Sequence, residues 1–173
     1  MIPALYKVLE TEDAFLAIMP RPRPGEWLRD DLIGLDRIGV NCLVSLLEER
    51  EEADLILSHE RELATELEME FLSYPIEDRT VPTDMQSFVS FVSALAGRVR
   101  RGSNVAVHCL GGIGRSGITV AAVLVALGHD ADTVFQQISQ ARGFPVPDTD
   151  EQLLWFEQNH PAFRNAAPES ELP

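Results

Sequence analysis

The stretch His108-Cys109-Leu110-Gly111-Gly112-Ile113-Gly114-Arg115-Ser116-Gly117 decides how this chain folds. It sets a cysteine and an arginine six positions apart, separated by three glycines and two apolar residues. On its N-terminal side Asn104-Val-Ala-Val107 is β-branched and apolar and is bounded by Gly102-Ser103, the pattern of a short buried strand. On its C-terminal side Ile118-Thr-Val-Ala-Ala-Val-Leu-Val-Ala-Leu127 reads as a buried helix closed by Gly128. The glycines therefore form a loop that leaves a strand and opens a helix. Such a loop turns several backbone N–H groups to one spot, and the helix N-terminus adds positive potential there. A tetrahedral oxyanion fits that concavity, and Arg115 can grip two of its oxygens. The same field favours thiolate over thiol at Cys109, which makes it a nucleophile near neutral pH.

Outward from this loop, strands and helices alternate. Ala14 to Met19 reads as a strand and Pro20-Arg-Pro-Arg-Pro-Gly25 as a solvated loop. Leu28, Leu32 and Leu35 recur at helical spacing, and Gly39 closes that helix before a strand over Asn41 to Leu47. The acidic run Glu48 to Asp54 reads as a solvated loop or helix start, Ser58 to Leu67 as a surface helix, and Glu70 to Ile76 as a strand. Thr83 is the expected N-cap of the next helix, with Gln86 completing a capping box and Met85, Phe88, Val92, Leu95, Ala96 and Val99 on its inward stripe. Two helices follow, one striped by Val134, Phe135, Ile138 and Ala141 and one running from about Asp150 to Asn159. The alternation predicts an α/β fold: one domain over residues 1–165, with a central, mostly parallel twisted sheet and helices on both faces. The tail Ala166 to Pro173 is small, polar and Pro-containing, and is predicted to be disordered.

Composition sets bounds. At 173 residues and 45% hydrophobic content the chain can bury one good core. No cationic-then-apolar N-terminal segment appears, and the longest apolar run, Ile118 to Leu127, falls short of the roughly 20 residues that span a bilayer. Two cysteines make no disulfide framework, so the expected setting is the reducing cytoplasm. A formal charge of −14 argues against nucleic acid or an anionic membrane as partner. The reading is of a cytoplasmic monomer with no cofactor and no metal. Cys42, on an apolar strand, reads as core, and His59, His129 and His160 read as isolated surface or cap residues.

With a strand before it and a helix after it, His108-Cys109, five residues and Arg115-Ser116 resemble the signature of the cysteine-dependent protein phosphatases, in their small dual-specificity branch. The Gly-Gly-x-Gly-Arg-Ser form is similar to that of the cyclin-dependent-kinase-associated phosphatases. Tyr74-Pro-Ile-Glu-Asp78-Arg-Thr-Val-Pro82 resembles the acid loop of these enzymes, and Ala141 to Gln152 resembles their glutamine-bearing loop and helix start. The likeness spans roughly residues 8 to 160.

Two-step hydrolysis of a phosphate monoester is the expected chemistry, on phosphotyrosine and on phosphoserine or phosphothreonine of a phosphoprotein. Cys109 attacks phosphorus to give a phosphocysteine. Arg115 and the loop residues Leu110, Gly111, Gly112, Ile113 and Gly114 hold the phosphate. The resemblance implies that Asp78 is the general acid and base, that Ser116 helps the sulfur leave, that Gln152 positions the hydrolytic water and that His108 orients the loop. Asp84 stays open as the alternative acid. Glu77 stands where many relatives carry Pro, and Leu110 and Ile113 lack the lysines that phosphoinositide phosphatases tend to place in this loop. The alternatives are a phosphatase of a small molecule or of an RNA 5′-phosphate, and a non-catalytic phosphate-binding module.

Overall fold

The computed structural model describes residues 3–165, and the tail predicted to be disordered lies outside them. The strand before the cysteine loop, β5 (Val105–His108), is the middle of a five-stranded sheet. Around it stand β1 (Tyr6–Glu10), β2 (Phe15–Met19), β3 (Cys42–Ser45) and β4 (Glu70–Ser73), in the order β1-β2-β5-β3-β4. β2, β5, β3 and β4 run parallel, and only β1 is antiparallel to its neighbour. Met19 and Ser45 flank His108 in register. The chain thus leaves the central strand at its C-terminal end, where parallel sheets open a crevice for ligands.

Alternation along each strand divides the side chains between two layers. Leu16, Ile18, Val44, Val105 and Val107 pack with α4 (Met85–Arg100), α5 (Arg115–Ala126), α6 (Val134–Arg142) and α7 (Asp150–Arg164). Ala17, Met19, Leu43 and Ala106 face the other way, onto α1 (Leu28–Arg37) and α3 (Glu60–Glu66). A short α2 (Glu49–Asp54) follows β3. Every residue of α5 is buried, as its all-round apolar sequence requires. At Gly117 a Cβ would stand 2.3 Å from Val146 Cγ1, so only glycine lets α5 and the loop before α7 come this close. Phe88, Trp155 and Phe163 lock α4 to α7 through edge contacts at 5.6 and 5.7 Å between ring centroids.

The structure adds one strand, and three local expectations change. β1 carries no clear alternating pattern, because it is an edge strand with a register shift between Lys7 and Leu9 and only Val8 buried. The N-cap of α4 is Asp84 rather than Thr83: its Oδ1 accepts the Ser87 N–H at 3.1 Å. Of the two readings of the acidic run, the helix start holds, as α2, whereas the helix expected at the surface, α3, buries Glu60. The loop after β2 is not simply solvated either, since Arg23 forks onto the buried Asp31, with Nε–Oδ1 at 3.0 Å and Nη2–Oδ1 at 2.5 Å.

Candidate active site

Cys109 follows β5 directly and lies 3% exposed at the base of a cleft of about 250 Å³. Asp78, Arg79, Leu110, Gly111, Ile113, Gly114, Arg115, Asp148 and Gln152 complete its wall. Residues from the cysteine loop, the acid loop and the loop before α7 thus meet in one place.

The loop's conformation is held from outside. The Arg21 N–H donates to Leu110 O at 3.1 Å, and the Arg142 guanidinium donates to Gly111 O and Gly112 O, each at 3.1 Å. In a planar trans peptide the N–H points opposite to the C=O. Pulling these three carbonyls outward therefore turns the N–H groups of Gly111, Gly112 and Ile113 inward. Among the described residues, no N–H from Leu110 to Gly114 bonds an oxygen. These donors form an anion cradle at the start of α5. Gly112 makes the turn possible: its φ is +65°, and a Cβ there would stand 2.3 Å from Met19 O.

Burial alone disfavours a Cys109 thiolate, but the Ser116 hydroxyl and N–H, the Arg115 charge and the Ile113 N–H outweigh it and hold the thiol below its ordinary range. The Ser116 hydroxyl is buried without a well-formed hydrogen bond among the described residues, and its influence falls on the Cys109 sulfur. Cys42 behaves oppositely. Burial beside the Glu70 carboxylate pushes its thiol up to about 12, as suits a core residue.

Arg115 is 1% exposed and is positioned from two sides. Its Nη1 and Nη2 fork onto the Glu51 carboxylate at 2.7 and 3.0 Å, and Nη1 also donates to Ile76 O at 2.9 Å. Nη2 then reaches Asp78 Oδ1 at 2.9 Å. Asp78 is half exposed at the cleft, whereas Asp84 is committed to capping α4 and does not line it.

Gln152 is fully buried at the N-terminus of α7. Its Nε2 donates to Thr80 O at 3.1 Å, and its Oε1 accepts the N–H groups of Asp148 and Thr149 at 3.2 Å each. One amide thus ties the acid loop to the loop before α7. His108 is buried behind the cleft, with Nδ1 3.3 Å from Cys109 O and Nε2 3.0 Å from Glu60 Oε1. Glu51, Glu60 and Arg142 were not legible as site residues. Each reaches the loop from a helix far away in sequence, and the acidic run around Glu51 looks like any solvated surface.

The profile described as "Swiss Army Knife protein, DSP-PTPase phosphatase domain" matches residues 11–161. A protein provisionally named tyrosine phosphatase 067L, of Invertebrate iridescent virus 3, is 33% identical over 93 residues, which are 52% of this chain. The match spans only 36% of that relative's length. The fold is similar to that of a kinase-associated phosphatase bearing serine for its catalytic-site cysteine. The TM-score is 0.84 at 16% identity, covering 95% of this chain and 98% of the other. The active form of Tk-PTP superposes with a TM-score of 0.73 at 23% identity, over 92% of this chain and 97% of the other.

Proposed function

This chain belongs to the DSP-PTPase phosphatase domain family and is a phosphatase of that fold, and from this premise we propose that it hydrolyses phosphate monoesters on proteins through a phosphocysteine at Cys109. The observation that carries the proposal is the convergence, in one cleft, of a buried thiol biased towards thiolate, a cradle of inward N–H groups and the paired Arg115 and Asp78.

In the first step the Cys109 thiolate attacks phosphorus in line. The S–P bond forms, the bond from phosphorus to the leaving oxygen breaks, and Asp78 gives that oxygen its proton. Arg115 and the N–H groups of the loop hold the equatorial oxygens, where negative charge is concentrated in the transition state. In the second step water attacks phosphorus, Asp78 takes its proton, the S–P bond breaks, and inorganic phosphate leaves. The Ser116 hydroxyl stabilises the departing thiolate. Gln152 fixes the acid loop against the cleft wall and so sets where Asp78 and the attacking water stand.

The cleft wall favours a single phosphate on a protein. Leu110 and Ile113 are uncharged, Asp78 and Asp148 are acidic, and Arg115 and Arg79 are its only cations. A polyphosphorylated ring would find one exposed arginine, Arg79, for its remaining phosphates, and that guanidinium already lies 3.9 Å from Asp148. We extend the reading to phosphotyrosine and to phosphoserine or phosphothreonine, in a monomeric one-domain enzyme whose thiolate suits a reducing cytoplasm. No helix among the described residues is long and apolar enough to cross a membrane. The test is a comparison of kcat/KM for phosphotyrosine and phosphothreonine peptides, inositol polyphosphates and RNA 5′-phosphates. Peptides should lead. Turnover confined to inositol phosphates or RNA ends would overturn the protein assignment and leave the phosphocysteine chemistry standing.

A further inference from the structure

Glu60 and His108 are each at most 1% exposed, and they face each other 3.0 Å apart beneath the cysteine loop. Among the described residues neither Glu60 oxygen nor His108 Nε2 has a well-aligned hydrogen bond, and the imidazole is the ion-pair partner that faces this buried carboxylate at 3.0 Å. An ionised group is not left buried without such a partner. The other ring nitrogen of His108 faces a second acceptor, Cys109 O, at 3.3 Å. A carbonyl cannot donate a proton and an ionised carboxylate cannot either. Beside an ionised carboxylate, the form of the ring that serves both neighbours carries a proton on each nitrogen.

We propose that Glu60 holds His108 as an imidazolium and is thereby a positioning residue for Cys109, fixing a positive charge on the residue next to the nucleophile.

The groups facing His108 are few. Glu60 comes from α3, Glu52 from α2, Ser45 is its register partner on β3, Met19 is its partner on β2, and Cys109 follows it in the chain. Glu52 is bonded by the Ser45 hydroxyl at 3.4 Å and lies near Glu60 and Arg61. Burial opposes charge on His108, but Glu60, joined by the Cys109 carbonyl and thiolate, overrides it and holds the ring above its ordinary range. The pair is neutral as a whole, and its positive member is the one adjacent to Cys109 in the chain. Replacing Glu60 with an amide removes the carboxylate, and burial then drives the ring to its neutral form. Cys109 loses a neighbouring positive charge, so its thiolate forms at higher pH. The effect adds to the Ser116, Arg115 and loop contributions.

The experiment reads Cys109 without using turnover, because the proposal rests on Cys109 being the nucleophile and must be able to fail separately. The rate of iodoacetamide alkylation of Cys109, located by peptide mapping, is followed against pH in wild type, Glu60→Gln and Glu60→Asp. The expected result is an upward shift of the midpoint in Glu60→Gln, with alkylation near pH 6 slowed about three- to tenfold. Glu60→Asp, which keeps the charge, should recover part of that loss. A purely structural Glu60 would lower the melting temperature and leave the midpoint in place, and that outcome in a folded Glu60→Gln overturns the proposal. Should Glu60→Gln fail to fold, the imidazole nitrogen shifts of His108 in the wild-type protein decide. Protons on both nitrogens at pH 7.5 support the proposal, and a bare nitrogen there overturns it. Absence of phosphatase turnover in wild type would sink the proposed function and leave both readouts intact.

Discussion

Asp78 Oδ1 lies 2.9 Å from Arg115 Nη2, so the proposed proton donor shares a guanidinium edge with the proposed phosphate site. On the proposed mechanism, an arriving phosphate competes with Asp78 for that edge.

Asp78→Ala should therefore uncouple binding from turnover. Vanadate should bind at least as tightly as to wild type, because its competitor on Arg115 is gone. Turnover should fall about 10²- to 10⁴-fold, most with poor leaving groups. A series of aryl phosphates of graded leaving ability measures this directly. Asp84→Ala should lower stability by about 1 kcal/mol, the usual cost of losing an N-cap, with the leaving-group dependence unchanged. Steeper leaving-group dependence in Asp84→Ala alone would move the acid to that residue.

Glu51 is the second support of Arg115. Removing its fork in Glu51→Gln leaves the guanidinium with Ile76 O and Asp78 as its partners and less firmly placed, and KM for phosphopeptides should rise about tenfold. Stability should respond as well. Burial raises the Glu51 carboxyl, but the Arg115 fork and the Glu48 N–H outweigh it and hold it below its ordinary value. A carboxyl depressed in the folded state contributes fully above its unfolded pKa of about 4.3 and loses that contribution as the pH falls through the folded value. Chemical denaturation at pH 7 and pH 4 should show wild type losing more stability than Glu51→Gln on acidification. Equal losses would contradict the fork.

Gly112→Ala tests the cradle. The new Cβ would meet backbone, Met19 O at 2.3 Å, at a φ of +65°, so neither a rotamer change nor a small shift relieves it. A cost of about 1–3 kcal/mol and loss of vanadate binding are expected, read by thermal melting and isothermal titration. Undiminished vanadate affinity would show that the loop N–H groups do not form the site.

Gln152 links two loops through one buried amide, and its position is sensitive to shape. Gln152→Ala should leave Cys109 alkylation unchanged and slow breakdown of the phosphoenzyme more than its formation, which burst kinetics separate. Equal slowing of both steps would reduce Gln152 to a structural tie.

Much of this architecture was legible in the sequence, for reasons that also mark the limits. The run from Asn104 to Leu127 carries its own punctuation, β-branched then glycine-rich then apolar all round, and it specified β5, the loop and α5 to within a few residues. Cys109, Arg115 and Asp78 then meet in one cleft. Gln152 entered the site only through the resemblance, and packing is what shows its amide to be buried. Glu51 and Glu60 look like surface acids because charge pattern reports solvation only on average. Whether one carboxylate of a run points inward depends on which helix face meets β5, and that is a tertiary fact. Arg142 was hidden for the same reason: its reach to Gly111 O and Gly112 O crosses from the end of α6 to a different loop.

The most direct test of the central claim is acid-quench trapping of the phosphoenzyme during turnover of para-nitrophenyl phosphate, followed by peptide mapping, in wild type and Cys109→Ser. The account predicts phosphate on the Cys109 peptide of wild type, with no trapped phosphate and no turnover in Cys109→Ser. Turnover that survives in Cys109→Ser, or phosphate trapped on another residue, would contradict it.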